Sequence, residues 1–430
     1  MVPNNQVQRD SYQRLQQFQK NLEFNLYLVH LLCSAQAEPN CRADPTESEI
    51  LAVIRAQTLR VLADPLSPIR NAAGSIITTF VSQYTFLDEW PELMPALHVL
   101  LEQQDENAVA GAFGALVKIC EDSAAKLENS PSRPLNVLVP KLLQYFHHQN
   151  ANFRRDALEC LNNVLIYMPV GLVVQMENFL AGISLLTQDP SNDVRRLVCK
   201  SIVILLEVGV QYLVPHLDSI IQFILRANQD EDENVAIEAC EFWASFCDLR
   251  EFNDIKPMLQ PYLGQIVPLL FQRMVYSEED LANFEAEEQN QNENYDQSPK
   301  LPRNLVENCA ITIGRLGYVC PNVVAPHLQE FAKRWCRALA HVRAPEEKEH
   351  CFLGLCYMVK ANPNGIVADF MFMCGAIASL EGQQIQNAEL KDMLYQIVHG
   401  FKTSLGENWA AYFASFPEPL RQFLTTPFNL

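Results

Sequence analysis

The strings PIRNAAGSII, NFRRDALECL, DVRRLVCKSI and NVAIEACEFW share one order of apolar, polar and small residues. Aligned on Ile69, Phe153, Val194 and Val235, they stand 84, 41 and 41 residues apart, two periods and then one each. The copy inside the first gap is DENAVAGAFGAL, near Val109. Arg70, Arg154 and Arg195 directly follow the first three anchors, and Ala236 takes that place in the fourth. Asp64 and Asp189 each precede an Arg by six residues, as a loop residue precedes a helical one. A second kind of apolar segment alternates with these strings and opens near proline: MPALHVLLEQ, VPKLLQYFHH, VPHLDSIIQFIL and VPLLFQRMV. Proline near a helix start and Asp or Asn in a turn match the preferences of helix termini. The predicted unit is therefore two helices joined by an Asp- or Asn-containing turn.

Neither helix of such a unit buries its apolar face alone, so neighbouring pairs must stack. The pattern predicts an all-α fold, a solenoid of HEAT or armadillo-like repeats. It continues near the C-terminus, where APHLQEFAKRWCRALAHV and EEKEHCFLGLCYMVKA read as one pair. NGIVADFMFMCGAIASL and ELKDMLYQIVHGFKTSLG form the next, and ENWAAYFASFPEPLRQFLT reads as a cap. The chain's 430 residues exceed one ordinary compact core, and 49% apolar composition supplies ample material for burial. Only 15 glycines argue against an all-β protein or a glycine-looped nucleotide fold.

One segment breaks the pattern. Between Met274 and Pro299 there is no Lys or Arg but eight Asp or Glu. The chain accordingly divides into an N-terminal array at 1–277, an acidic junction at 278–301, and a shorter C-terminal array with its cap at 302–430. The formal charge of −19 disfavours nucleic acid and anionic membrane as partners and suits a basic protein partner. The N-terminus has no basic-then-apolar signal sequence. Most of the 13 cysteines lie inside apolar helical runs, as in VKICEDS and ALECLNN, which points to a reducing compartment. No apolar run reaches membrane-spanning length; SIVILLEVGVQYLVP is interrupted by Glu207.

Catalytic signatures are missing as well. There is no phosphate-binding Gly-rich loop, nucleophile elbow or His-Glu-x-x-His motif. His147 and His148 are adjacent at a helix end and point in different directions, and no Cys-x-x-Cys pair occurs. The acidic pairs Glu121 with Asp122, and Glu238 with Glu241, lack the pocket that carboxylate catalysis needs. These features predict neither enzyme, cofactor nor metal.

Several long strings resemble the nuclear import receptor family of transportin (karyopherin-β2). They are SPIRNAAGSIITT, VAGAFGALVKICEDSA, RPLNVLVPKLLQYFHH, QDEDENVAIEACEFW, ENCAITIGRLGYVCP, NPNGIVADF and VHGFKTSLGENW. The resemblance implies a HEAT-repeat receptor shuttling between cytoplasm and nucleus, with nucleoporin FG repeats as further partners. It implies binding of the GTPase Ran in its GTP form through N-terminal repeats and an acidic loop. The residues it assigns to Ran are Glu121, Asp122, Glu238, Glu241, Glu278, Glu279 and Asp280. It implies that cargo proteins with basic nuclear localisation signals face Asn304, Glu307 and Asn308.

The departures from that family define further expectations. The family's opening helix is expected to be missing, and residues 36–54 are expected to replace family sequence. After VPLLFQRMVYSEED the text jumps to LPRNLVENCAITIGRLG, which belongs near the family's C-terminus, so the central repeats are skipped. Trp90, Trp243, Trp335 and Trp409 fall in other segments and cannot replace the tryptophans that grip cargo. The cargo site is expected to be incomplete, leaving a truncated scaffold or decoy as the alternative function. The skip also demands a new interface between VPLLFQRMV and LVENCAITIGRL.

Overall fold

The computed structural model describes residues 47–81, 90–249, 256–273, 305–380 and 387–430. It divides into two compact units, Met1–Ser201 and Ile202–Leu430. Within the described residues all regular structure is helical.

In the first unit, first and second helices alternate. The pairs are α1 (Glu47–Val61) with α2 (Ser67–Thr79), α3 (Leu93–Leu100) with α4 (Glu106–Asn129), and α5 (Leu135–Gln144) with α6 (Ala151–Leu165). Then come α7 (Met176–Leu186) and α8 (Asn192–Val208), the latter carrying the chain into the second unit. The second helices stack on one another, α2 on α4 and α4 on α6. Their starts follow the predicted chemistry. Asp105 accepts a hydrogen bond from the Asn107 amide to cap α4, and Asn150 accepts from the Asn152 amide to cap α6. The buried apolar faces then meet around Phe113, which lies edge-on to Tyr145 and stacked against Phe153.

The arginines of the repeat join these turns together. Arg70 Nη1 donates to the carbonyls of Asp64 (2.6 Å) and Pro65 (3.0 Å), and to Asn107 Oδ1 at the next turn (3.1 Å). Arg154 does the same on a larger scale. Its Nη1 donates to the carbonyls of His148 and Gln149, while Nε and Nη2 grip Asp189 Oδ2 and Oδ1 at 2.6 and 2.8 Å. Arg195 Nη1 returns to the Asp189 carbonyl at 2.8 Å. The six-residue spacing in the sequence is thus the reach from a guanidinium back to its own turn. Of the two adjacent histidines, His147 is exposed, while His148 is half-buried between Tyr145 and Phe153 and its Nδ1 accepts from the Asn150 amide.

The second unit holds α9 (Leu217–Ala227) with α10 (Glu233–Asp248), then α11 (Leu263–Arg273) and α12 (Leu305–Val319). It continues with α13 (Leu328–His341) and α14 (Pro345–Ala361), α15 (Phe370–Ala378) and α16 (Ala388–Leu405). The cap helices α17 (Trp409–Ala414) and α18 (Glu418–Phe428) end the chain, and α18 packs on α15. Here α10 stacks on α12, α12 on α14 and α14 on α16, while α11 packs on both α12 and α13. The new interface that the sequence demanded is therefore the inside of a single repeat. α11 is its first helix and α12 its second, although residues 274–304 separate them in the chain. The packing is dense: Ile266, Leu270, Cys309, Ala310 and Ile313 are all fully buried. Phe271 of α11 stacks on Phe331 of α13. At the α12–α14 contact the backbones touch, since a Cβ added at Gly354 would lie 1.9 Å from the Gly314 carbonyl oxygen.

Candidate partner-binding surface

Six of the candidate residues, Glu121, Asp122, Glu238, Glu241, Glu307 and Asn308, sit on second helices. On α4, Glu121 and Asp122 are exposed. They draw on the Lys118 ammonium, whose pKa burial nonetheless holds below its ordinary value. Lys118 Nζ donates to Ser75 Oγ on α2 at 2.8 Å. One residue beyond the acidic pair, α4 kinks at Ser123, where the backbone leaves helical geometry (φ −137°, ψ 22°).

In the second unit the candidates are less open. Glu238 and Glu241 on α10 are half-buried. Asn308 Nδ2 donates to Glu241 Oε1 at 2.9 Å, so a residue assigned to Ran and a residue assigned to cargo meet across the α10–α12 contact. Asn308 is only 3% exposed, and its Oδ1 is buried with no hydrogen-bond partner. Glu307 is 9% exposed, with Oε1 4.0 Å from Arg343 Nε. Glu278, Glu279, Asp280 and Asn304 lie outside the described residues.

Sequence reading missed three charged residues that join the same helices. Arg315 on α12 donates to Glu347 Oε1 and Oε2 of α14 at 2.7 and 2.9 Å and to the Ala244 carbonyl of α10 at 3.0 Å. Lys348 is 2% exposed, and its Nζ donates to the carbonyls of Ala340 (3.0 Å) and Ser379 (3.2 Å). Burial lowers its pKa to about 8, against smaller pulls upward from Cys351 and Glu307. Lys348 links its own turn to the next one, as Arg154 does in the first unit. The available signal was a cation early in a second helix, but the offset from the turn is eight residues instead of six, which hid it.

The first unit also carries an apolar cleft of about 690 Å³ between α3 and α5. Trp90, Pro91, Met94, Pro95, Val99 and Val137 form most of its wall. Val99 and Val137 are more than half exposed. Among the described residues no group of three His, Cys, Asp or Glu is placed to hold a metal, and no helix is long and apolar enough to cross a membrane.

Paired helices with capped turns, stacked second helices and cross-linking cations define a helical-repeat solenoid. The chain is homologous to the transportins, also called importin-β-2. It is 36% identical to Transportin of Dictyostelium discoideum over 283 residues, 62% of this chain and 30% of that protein. It is 36% identical to mouse Transportin-1 over 299 residues, 65% of this chain and 32% of the mouse protein. Importin subunit beta-2 of Schizosaccharomyces pombe shares 39% over 248 residues, 56% of this chain and 27% of that protein. The matching region thus spans about a third of each relative. No family model matches the chain. The fold is that of importin-β: one crystal structure aligns with a TM-score of 0.61 over 96% of this chain and 58% of its own, at 14% identity. A second crystal structure of importin-β gives 0.58 over the whole of this chain and 60% of its own, also at 14% identity. These relatives are transport receptors and not enzymes.

Proposed function

We propose that this protein is a transport receptor of the transportin type that binds Ran in its GTP form and shuttles between cytoplasm and nucleus. The N-terminal array, 1–277, takes the GTPase, with Glu121 and Asp122 as the outermost contacts. The C-terminal array, 302–430, keeps the edge of a surface for basic nuclear localisation signals. The cleft between α3 and α5 suits phenyl rings of nucleoporin FG repeats, because its wall is mostly apolar, with His98 and Ser132 among its lining. The observation that carries the reading is the column of second helices in the second unit. There α10, α12 and α14 stack in one repeat register, although residues 274–304 lie between α11 and α12 in the chain. A net charge of −19 favours basic partners and speeds their association at low salt.

The direct test is retention of Ran loaded with a non-hydrolysable GTP analogue or with GDP on the immobilised chain. Selective retention of the GTP form is expected. Equal or absent retention of both forms overturns the receptor reading.

One observation favours a second reading, a repeat scaffold or decoy that engages Ran without carrying cargo. Glu307 lies beside Arg343, and Asn308 is bonded to Glu241, so both cargo candidates already have internal neighbours. A fluorescent basic localisation-signal peptide separates the two readings: GTP-selective Ran retention without peptide binding selects the scaffold.

A further inference from the structure

Two buried sulfurs face each other across the α10–α12 contact. Cys240 of α10 and Cys309 of α12 have Sγ atoms 3.7 Å apart, and the residues are 1% and 0% exposed. The pair is polarised from one side. Asn228 Nδ2 lies 3.3 Å from Cys240 Sγ and donates toward it. The amide cannot turn round, because Asn228 Oδ1 accepts the Trp243 indole N–H at 2.6 Å and Nδ2 also reaches the Ala236 carbonyl. That fixed donor gives the Cys240 sulfur a polar partner on the side of Asn228.

We propose that Cys240 and Cys309 form a redox latch that fastens α10 to α12, with hydrogen peroxide as oxidant. The Cys240 sulfur attacks one peroxide oxygen and the O–O bond breaks. Cys240 becomes a sulfenic acid, and the departing hydroxide takes the thiol proton to leave as water. The Cys309 sulfur then attacks the sulfenic sulfur, the S–O bond breaks, and hydroxide leaves with the Cys309 proton as a second water. Two electrons pass from the two sulfurs to the peroxide, and one S–S bond is formed. The sulfurs must close by more than 1 Å to reach bonding distance, so the step draws the two helices together locally. The bond ties residues that lie on either side of the acidic segment, restricting the unfolded chain over a long loop.

The experiment uses the full chain and hydrogen peroxide. After treatment, remaining thiols are alkylated under denaturing conditions, and the protein is digested without reductant and mapped by mass spectrometry. The expected result is a cross-linked pair of peptides containing Cys240 and Cys309, separated by dithiothreitol, and a higher urea midpoint for the oxidised protein. Cys309→Thr, which removes the sulfur, is expected to lose the peroxide-dependent rise. Recovery of Cys240 and Cys309 as separate alkylated peptides overturns the proposal. So does a cross-link that leaves the midpoint unchanged, or an equal rise in Cys309→Thr.

Discussion

Arg154 concentrates in one side chain what holds neighbouring turns together in the first unit. It is 8% exposed and spends its guanidinium on a bidentate grip of Asp189 and two carbonyls of its own turn. Removing one partner leaves the other charge buried, so Arg154→Ala is expected to cost about 3–5 kcal/mol in urea unfolding. Lys348 fills the corresponding role in the second unit with a group that titrates. Its pKa falls from 10.5 to about 8, so the folded state releases the proton first. Below about pH 8 the full cost of burying the ammonium is present, and stability recovers as pH rises toward the unfolded pKa. The urea-midpoint difference, wild type minus Lys348→Met, should therefore rise between about pH 8 and about pH 10.5. A flat or falling difference contradicts that assignment. Glu121 and Asp122 have the opposite character, since both stand in solvent. Reversing both to Lys is expected to leave stability within about 0.5 kcal/mol and to slow Ran·GTP association about tenfold at low salt. Stopped-flow kinetics at two salt concentrations check this.

Among the helices, the α12–α14 contact is the closest approach in the second unit that a single substitution can probe. Gly354 has no room for a methyl group against the Gly314 backbone, and backbone cannot swing aside as a side chain can. Gly354→Ala is expected to destabilise by about 1–3 kcal/mol despite its better helix propensity, read as a lowered urea midpoint. Gly314 and Gly354 stand 40 residues apart, one repeat, yet no propensity rule distinguishes them from ordinary glycines in a helix. Helix starts were easier to read. Asp105, Asn150 and Asp232 all cap second helices, and each is part of a local signal only a few residues long. The candidate acidic residues were legible as polar positions on those helices. Their exposure was not, because it depends on what the neighbouring repeat places opposite. Glu121 meets solvent while Glu241 meets Asn308, and nothing within either helix separates the two cases.

For the whole molecule, the consequence of the acidic break at 274–304 lies in how repeats cooperate. In an array, each unit is stabilised by its neighbours, so a poor contact divides unfolding into independent parts. The contact of VPLLFQRMV with LVENCAITIGRL is the interface to which this applies. In the structure α11 and α12 complete one repeat with a buried apolar centre, and α10, α12 and α14 stack in order. Native-state hydrogen exchange should accordingly show the core amides of α10, α12 and α14 opening together. Earlier exchange of α12 to α16 as a block, with α10 still protected, would mark the contact as a boundary.

By itself the sequence determined the period, the two-helix unit, the capped turns, the all-α class and the kinship with transportins. All of these rest on interactions within about forty residues, where chain order and spatial order coincide. Tertiary structure alone decided which second helix follows α10, which acidic residues remain open to a partner, and that two sulfurs 69 positions apart come within 3.7 Å. These depend on contacts between repeats, where a helix meets whatever apolar face the chain next supplies. Because the interfaces of a repeat fold are alike, α11 and α12 share one repeat although residues 274–304 lie between them.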